Sequence, residues 1–242
     1  MALTALFAIS ASLFYFFASA IILYKIQQDT RINIHGKIIK IALIAVLLHA
    51  LALNNTLWLD QYIHFHLGNG LSLVALLASA ILLLTHINKP TETLGIFVYP
   101  LAGLSTLLPL AMEKPMRLPL EIGSHVLISI AAYSIMGIAT AQAILYSIQE
   151  KNFKAKKLGK LMNALPPLQV MESTLLQLLK IGFIFLTFAL ISGAFFVENL
   201  FEQQLIHKTF FAILAWLAYG LFIFGHFKYG WRGQTAARYA TW

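Results

Sequence analysis

Apolar residues fall in seven long runs separated by short polar gaps. The runs extend from Leu3 to Tyr24, Ile38 to Trp58, Gly68 to Ile87, Leu94 to Met112, Ile122 to Ile148, Leu175 to Val197 and Ile206 to Phe227. A helix rises 1.5 Å per residue, so about 20 apolar residues cross the hydrocarbon core of a bilayer. Each run is long enough or nearly so, and the pattern predicts an all-α, polytopic transmembrane helical bundle with seven spans. Between the first and last run no extramembrane segment is long enough for a second domain and no internal repeat is evident, so residues 1–242 read as a single membrane domain. The longest gap, about Gln149 to Thr174, carries a lysine-rich stretch with interspersed Phe153, Leu158, Leu161 and Met162, then Pro166 and Pro167. Its first part reads as a short amphipathic surface helix or as an open loop, ended by the prolines.

Composition agrees: hydrophobic residues make up 60% of the chain and charged ones 11%, with mean hydropathy +0.79. Soluble domains sit nearer half apolar and a quarter charged. The net charge of +8 would suit a nucleic-acid binder, but its placement gives another reading. Fourteen of the 17 basic residues belong to one side: Lys25, Arg31, Lys37 and Lys40 in or just past the first gap, Lys89 in the third, the cluster from Lys151 to Lys160 in the fifth with Lys180 just after it, and Lys228, Arg232 and Arg238 after the last run. Only Lys114, Arg117 and Lys208 fall in the other set. Cytoplasmic loops collect Lys and Arg, which predicts an amino terminus outside and a carboxyl terminus inside. Nucleic acid is set aside as a partner, and the lipid bilayer is the expected environment. Ala18, Ser19 and Ala20 mimic a signal-peptidase site, but no basic region precedes them and the apolar run continues, which favours an uncleaved first span.

The sequence contains no cysteine, which removes thiol catalysis, disulfides and thiolate metal sites. No phosphate-cradling glycine loop, zinc-protease motif or pair of intramembrane carboxylates is present, and midplane polar residues are few, which argues against a conventional enzyme and against solute transport. Histidines within spans are the exception, because a polar side chain at that depth is costly. His49 lies near the middle of the second span, His125 one turn below the outer end of the fifth, and His226 near the inner end of the seventh. At 100° per residue, His125, Ser129, Tyr133, Met136 and Thr140 fall within roughly 80° of one another, a polar stripe expected to face the bundle interior. Glu121, one turn before His125, is placed to accept its second ring N–H. If two histidines share an iron they must lie at one level, which offers His64, His66 or His207 to His125, and His86 or His35 to His226. A hydrogen-bonded interhelical histidine, or a solvated one in the case of His64 and His66, is the plain alternative at each position. Gly123, Gly137, Gly182 and Gly193 are small enough to let helices approach closely.

From Leu165 to Asn199 the run LPPLQVMESTLLQLLKIGFIFLTFALISGAFFVEN resembles the segment of cytochrome c assembly proteins in which Leu-Pro-x-Leu leads into a span carrying Ile-Gly-Phe, Leu-Thr and Ser-Gly-Ala. HVLISIAAYSIMGIATAQAILY, His125 to Tyr146, resembles the span before it. LLHALAL around His49, Asn69 to Leu73, and AWLAYGLFIFGHFKYGWRG from Ala215 to Gly233 are similar to the small YpjD- and HemX-like inner-membrane branch. The resemblance implies a multi-pass protein of the bacterial inner membrane that binds or handles haem b during cytochrome c biogenesis. It also implies His125 as the external iron ligand; depth and helix spacing add His49 as a supporting site and Ser129, Tyr133, His64, His66, His207 and His226 as further cofactor-binding candidates. Partners implied are haem and other cytochrome c maturation or haem-biosynthesis proteins. The chain departs from the larger members between the sixth and seventh spans, where VENLFEQQLIHKTFF replaces a tryptophan-rich signature, and Trp242 falls where a further, eighth span begins in them. That departure motivates a second reading, an accessory or regulatory membrane subunit without haem transfer, docking a partner through its basic loop and its Trp231 to Arg238 tail.

Overall fold

The computed structural model describes residues 2–28, 35–59, 61–88, 92–112, 116–156, 165–196 and 203–241. Helices dominate, and six of them are long and apolar enough to cross a membrane. The chain divides into two compact units, residues 1–120 with 163–166, and residues 121–162 with 167–242.

The first unit holds α1 (Ala2–Gln28), α2 (His35–Leu57), α3 (Leu67–Asn88), α4 (Gly95–Ser105) and the short α5 (Leu108–Ala111). Small side chains set the packing: Ala8, Ala11 and Ala18 on α1 and Ala42, Ala45 and Ala52 on α2 are buried, so those two backbones approach closely. On α4, a Cβ added at Gly103 would lie 3.2 Å from the Phe16 ring and 3.3 Å from the Ser12 carbonyl oxygen, so α1 also lies tightly against α4. Leu3, Leu6, Leu13 and Phe17 point away from this core and are exposed, the surface a helix presents to lipid.

The fourth apolar run departs from the expected continuous span. It forms a 3-10 turn at Glu92–Leu94, then α4, then α5 after a break at Thr106 and Leu107. Pro109 explains the break, since it has no N–H to give the Ser105 carbonyl and its ring would clash there. Thr106 and Ser105 instead turn their hydroxyls onto the Gly103 and Ala102 carbonyls, each at 2.8 Å. Six long helices and one broken run therefore replace seven like spans.

Two gaps read as loops form a small antiparallel sheet. β1 (Trp58–Leu59) and β2 (Tyr62–Phe65) make a hairpin whose turn residue Gln61 has φ 65°, and β3 (Met116–Leu118) joins on the far side of β2. Ile63 pairs with Trp58 on one side and Leu118 on the other, and His64 lies opposite Arg117. Ile63, the central residue of the pairing, is fully buried, while Tyr62 at the start of β2 is exposed.

The second unit holds α6 (Leu120–Lys154), α7 (Leu168–Phe196), α8 (Gln203–Tyr229) and α9 (Gln234–Thr241). α6 runs past the predicted end at Ile148, so Lys151 and Lys154 belong to it, with Lys154 paired to Glu150 one turn back at 2.7 Å. The rest of the expected surface helix, residues 157–164, lies outside the described residues. Pro167 opens α7, its carbonyl accepting Val170 N–H at 2.9 Å and Met171 N–H at 3.1 Å. Ala132, Leu186 and Ala189 form a buried centre edged by Ile128, Met136 and Trp216. Gly182 does admit a neighbour closely, since a Cβ there would lie 3.3 Å from Met136 Cγ; Gly137 does not, because nothing lies within 4 Å of its Cβ position. Lys180, inside a span by sequence, sets its ammonium 5.1 Å from the centre of the Phe227 ring.

Candidate functional site

His125 stands in the second turn of α6, half-buried against α7. Its Nδ1 lies 3.0 Å from Ser192 Oγ, and Ser192 donates its one hydroxyl proton to the Ala189 carbonyl at 3.1 Å. The contact anchors the imidazole through Nδ1, and in the tautomer that donates Nδ1–H to this oxygen the lone pair lies on Nε2. Gly193 makes this approach possible: a Cβ there would sit 3.0 Å from His125 Cε1. An imidazole held through Nδ1–H and basic at Nε2 is the form that coordinates a metal.

Ser192 is the residue the sequence reading passed over. The spacing offered Glu121 as the orienting acceptor, but Glu121 is exposed, and among the described residues the side chain that reaches it, Ser124, donates its hydroxyl to the Glu121 backbone carbonyl at 2.7 Å. The acceptor comes instead from a helix 67 residues on, within the Ser-Gly-Ala step already visible in the sequence. The polar stripe is corrected as well. Tyr133 is 50% exposed, so that face is not wholly turned inward; the buried side of α6 runs through Ala132, Ile135, Ala139, Gln142 and Tyr146. Ser129 is half-buried, and Thr140 donates to the Ala240 carbonyl of α9 at 2.6 Å.

The other candidates separate by environment. His207 is exposed at the start of α8. His49 is fully buried with both ring nitrogens engaged, Nδ1 by Tyr15 OH at 3.3 Å and Nε2 by Ser72 Oγ at 2.8 Å. His66 precedes α3 and caps it: its Nδ1 accepts Asn69 N–H at 3.2 Å. Burial holds the His66 pKa below its ordinary value, which keeps Nδ1 an acceptor. His64, on β2, is 8% exposed; its carbonyl accepts Asn69 Nδ2 at 2.8 Å, and its Nε2 is buried without a hydrogen-bond partner among the described residues.

His226 anchors a hook. Its Nδ1–H donates to the Trp231 carbonyl at 2.8 Å, which Gly230 permits by turning the chain at φ +69°. The Trp231 indole lies on Gly225, where a Cβ would come within 2.3 Å of the ring, and it stacks on Tyr239 of α9 at 5.7 Å. Arg232 Nε and Gly233 N–H both donate to Glu172 Oε1 at 3.0 Å, and Gln234 donates to Glu150. The tail that the sequence offered as a docking arm is engaged by its own unit. The aromatic face of α8 likewise serves packing, with Trp216 stacked on Phe183 at 5.6 Å and its N–H on Thr187 Oγ1 at 2.9 Å.

Comparison with known proteins decides the family. The sequence model for the Cytochrome C assembly protein family matches residues 1–242, the whole chain and both units. The chain belongs to the cytochrome c assembly family. It is also 29% identical over 199 residues to the inner membrane protein YpjD of Escherichia coli K12, covering 80% of this chain and 75% of that relative. YpjD of Escherichia coli O157:H7 matches to the same extent. No solved structure matches. With six spanning helices, the family member described here is a multi-pass membrane protein. Among its described residues no group of three or more His, Asp or Glu gathers as a metal cage.

Proposed function

We propose that this is a bacterial inner-membrane protein that binds or hands on haem b during cytochrome c biogenesis, with His125 the residue that would hold the iron through Nε2. The observation that carries this reading is the anchored ring: His125 Nδ1 lies 3.0 Å from Ser192 Oγ, and the tautomer with Nδ1–H on that oxygen leaves Nε2 for the iron. Family membership and the YpjD relatives support the setting. An amino terminus outside, as the distribution of basic residues implies, puts His125 near the outer face, where cytochromes c acquire their cofactor. Haem supplies the iron and its redox and ligand-exchange chemistry. The protein's part is to bind: His125 would hold the iron, Ser192 anchors the ring, and Gly193 leaves room for it. Exposed His207 is the candidate within the same unit for a second ligand. On this reading the protein is not a conventional enzyme, because its work is holding and passing the cofactor.

The test is a reduced-minus-oxidised absorption spectrum of protein purified in mild detergent after haem supplementation. Haem bands in the wild type and in His35→Ala, and their loss in His125→Ala, are the expected result. A colourless wild type overturns the proposal and leaves the accessory-subunit reading in its place.

A further inference from the structure

The end of the second unit where α7 begins and α8 stops carries charges that haem binding at His125 does not use. α6 and α7 bring two carboxylates there, and both are taken: Glu150 holds Lys154 at 2.7 Å and Glu172 holds Arg232 at 3.0 Å. Lys180 of α7 and Lys228 of α8 make no ion pair and no hydrogen bond among the described residues. Their ammonium groups lie over aromatic rings instead. Lys180 Nζ is 5.1 Å from the centre of the Phe227 ring, and Lys228 Nζ is 5.4 Å from that of Phe224 and 5.5 Å from that of Tyr229. Phe224 and Phe227, three residues apart, are neighbours on the helix surface, so both ammonium groups attach to one aromatic ridge.

The helices set the depth of this ridge. α8 ends at Tyr229, and Gly230 turns the chain back at φ +69°. From Lys180 to Phe196, where α7 ends, is about 24 Å at 1.5 Å per residue, most of the roughly 30 Å of a hydrocarbon core. Lys180 therefore stands at the edge of the apolar layer, level with the last turn of α8, and the distribution of basic residues makes that edge the cytoplasmic one. Toward the membrane interior the surroundings are apolar: Ile184, one turn past Lys180, is exposed, as are Leu221 and Phe224 on α8. Tyr229 is backed by Trp231, stacked on it at 6.2 Å, and the Trp231 carbonyl is held by His226 at 2.8 Å. Phe227, 74% exposed, leaves the other side of the ridge open.

We propose that this ridge is a binding site for an anionic phospholipid of the inner leaflet, its phosphate taken by the Lys180 and Lys228 ammonium groups and its acyl chains lying along Ile184, Leu221 and Phe224. Each ammonium has three N–H donors and no acceptor of its own. A ring face offsets part of the cost of a charge at this depth but gives those donors no lone pair. A phosphodiester supplies what is missing, a negative charge and accepting oxygens, at the level where headgroups lie. With Glu150 and Glu172 engaged, no carboxylate of this end competes for the place. A zwitterionic lipid offers the same oxygens with their charge already balanced by its own cation, so the site selects by net charge. Inorganic phosphate offers the charge without the chains, and the apolar side chains beside the lysines gain nothing from it. The proposal does not depend on haem.

The experiment mixes the full chain in mild detergent with equimolar phosphatidylglycerol and phosphatidylcholine of matched acyl chains and counts the lipid-bound species by native mass spectrometry. Wild type should favour phosphatidylglycerol by about 5-fold for each lysine engaged. The pair Lys180→Gln with Lys228→Gln should lose the preference, and Lys180→Arg with Lys228→Arg, which restores the charge, should recover it. Lys151→Gln with Lys156→Gln removes the same charge from exposed positions at the end of α6 and in the turn after it, and should bind as wild type does. Inorganic phosphate added to the mixture should leave the ratio unchanged. Equal binding of the two lipids by wild type, or an undiminished preference in the Lys180 and Lys228 glutamine pair, overturns the proposal. So does an equal loss in the Lys151 and Lys156 pair, which marks a general attraction to a basic surface, or displacement of the lipid by inorganic phosphate, which marks a site for small anions. Haem bands recorded on the same preparations report on His125 separately, so the two proposals fail independently.

Discussion

Ser192→Ala tests the orientation of His125 without touching the proposed ligand. The substitution removes one oxygen, and with it the acceptor 3.0 Å from Nδ1. What remains to the ring is the Ala189 carbonyl, so the stability cost lies at the low end of the about 1–3 kcal/mol that an unpaired buried polar group costs. The effect on iron is larger. With Ser192 in place, the ring is anchored at Nδ1 and Nε2 faces the proposed iron; without it the ring loses that anchor and its fixed rotation. Loss of such an orienting partner typically weakens metal binding about 10- to 100-fold, which corresponds to about 1.4–2.8 kcal/mol. Haem titration of detergent-purified protein, followed at the main absorption band, should show that fall for Ser192→Ala and abolition for His125→Ala. Ser192→Thr, which keeps the hydroxyl, should bind closer to wild type. Wild-type affinity in Ser192→Ala, alongside abolition in His125→Ala, would refute the orienting role. Wild-type affinity in His125→Ala would refute the site itself.

Gly225→Ala and Gly137→Ala should move stability in opposite directions. The first drives a methyl to within 2.3 Å of the Trp231 ring and should cost about 1–3 kcal/mol by overpacking, lowering the melting temperature by several degrees and exposing the α9 arm to protease. The second adds a methyl where nothing lies within 4 Å and should stabilise α6 by about 0.5–1 kcal/mol. Equal melting curves for the two would contradict the hook geometry. Acidification should loosen the start of α3. Burial lowers the folded pKa of His66 below its ordinary 6.5, so the cap's contribution is complete above that value and fades as pH falls through the folded pKa, when the unfolded chain already holds the proton. The protection factor of the Asn69 amide, taken against the intrinsic exchange rate at each pH, should fall as pH drops below 6.5, and His66→Asn, a pH-insensitive cap, should flatten the response. An unchanged response in that variant would count against the capping role.

Local signals accounted for much of this molecule. Six of the seven apolar runs became single helices, because length and hydropathy act over one element and are fully present in it. The seventh failed for a local reason equally open to inspection, Pro109, whose missing N–H breaks a helix whatever surrounds it. The hairpin from Trp58 to Phe65 was less visible, since two and four residues give almost no periodicity to read. His125 could be named from its depth in a span and from resemblance, yet the identity of its partner could not.

The sequence by itself determined the helices, their membrane setting and the short set of histidines worth considering, because those depend on residues near one another in the chain. Only the tertiary structure decided what each histidine does. Ser192 reaches His125 across 67 positions, Ser72 and Tyr15 close on His49 from two other helices, and Trp231 folds back on Gly225. A hydrogen bond acts over about 3 Å, and which groups come that close is set by how helices pack, a property of pairs of elements that no single segment carries.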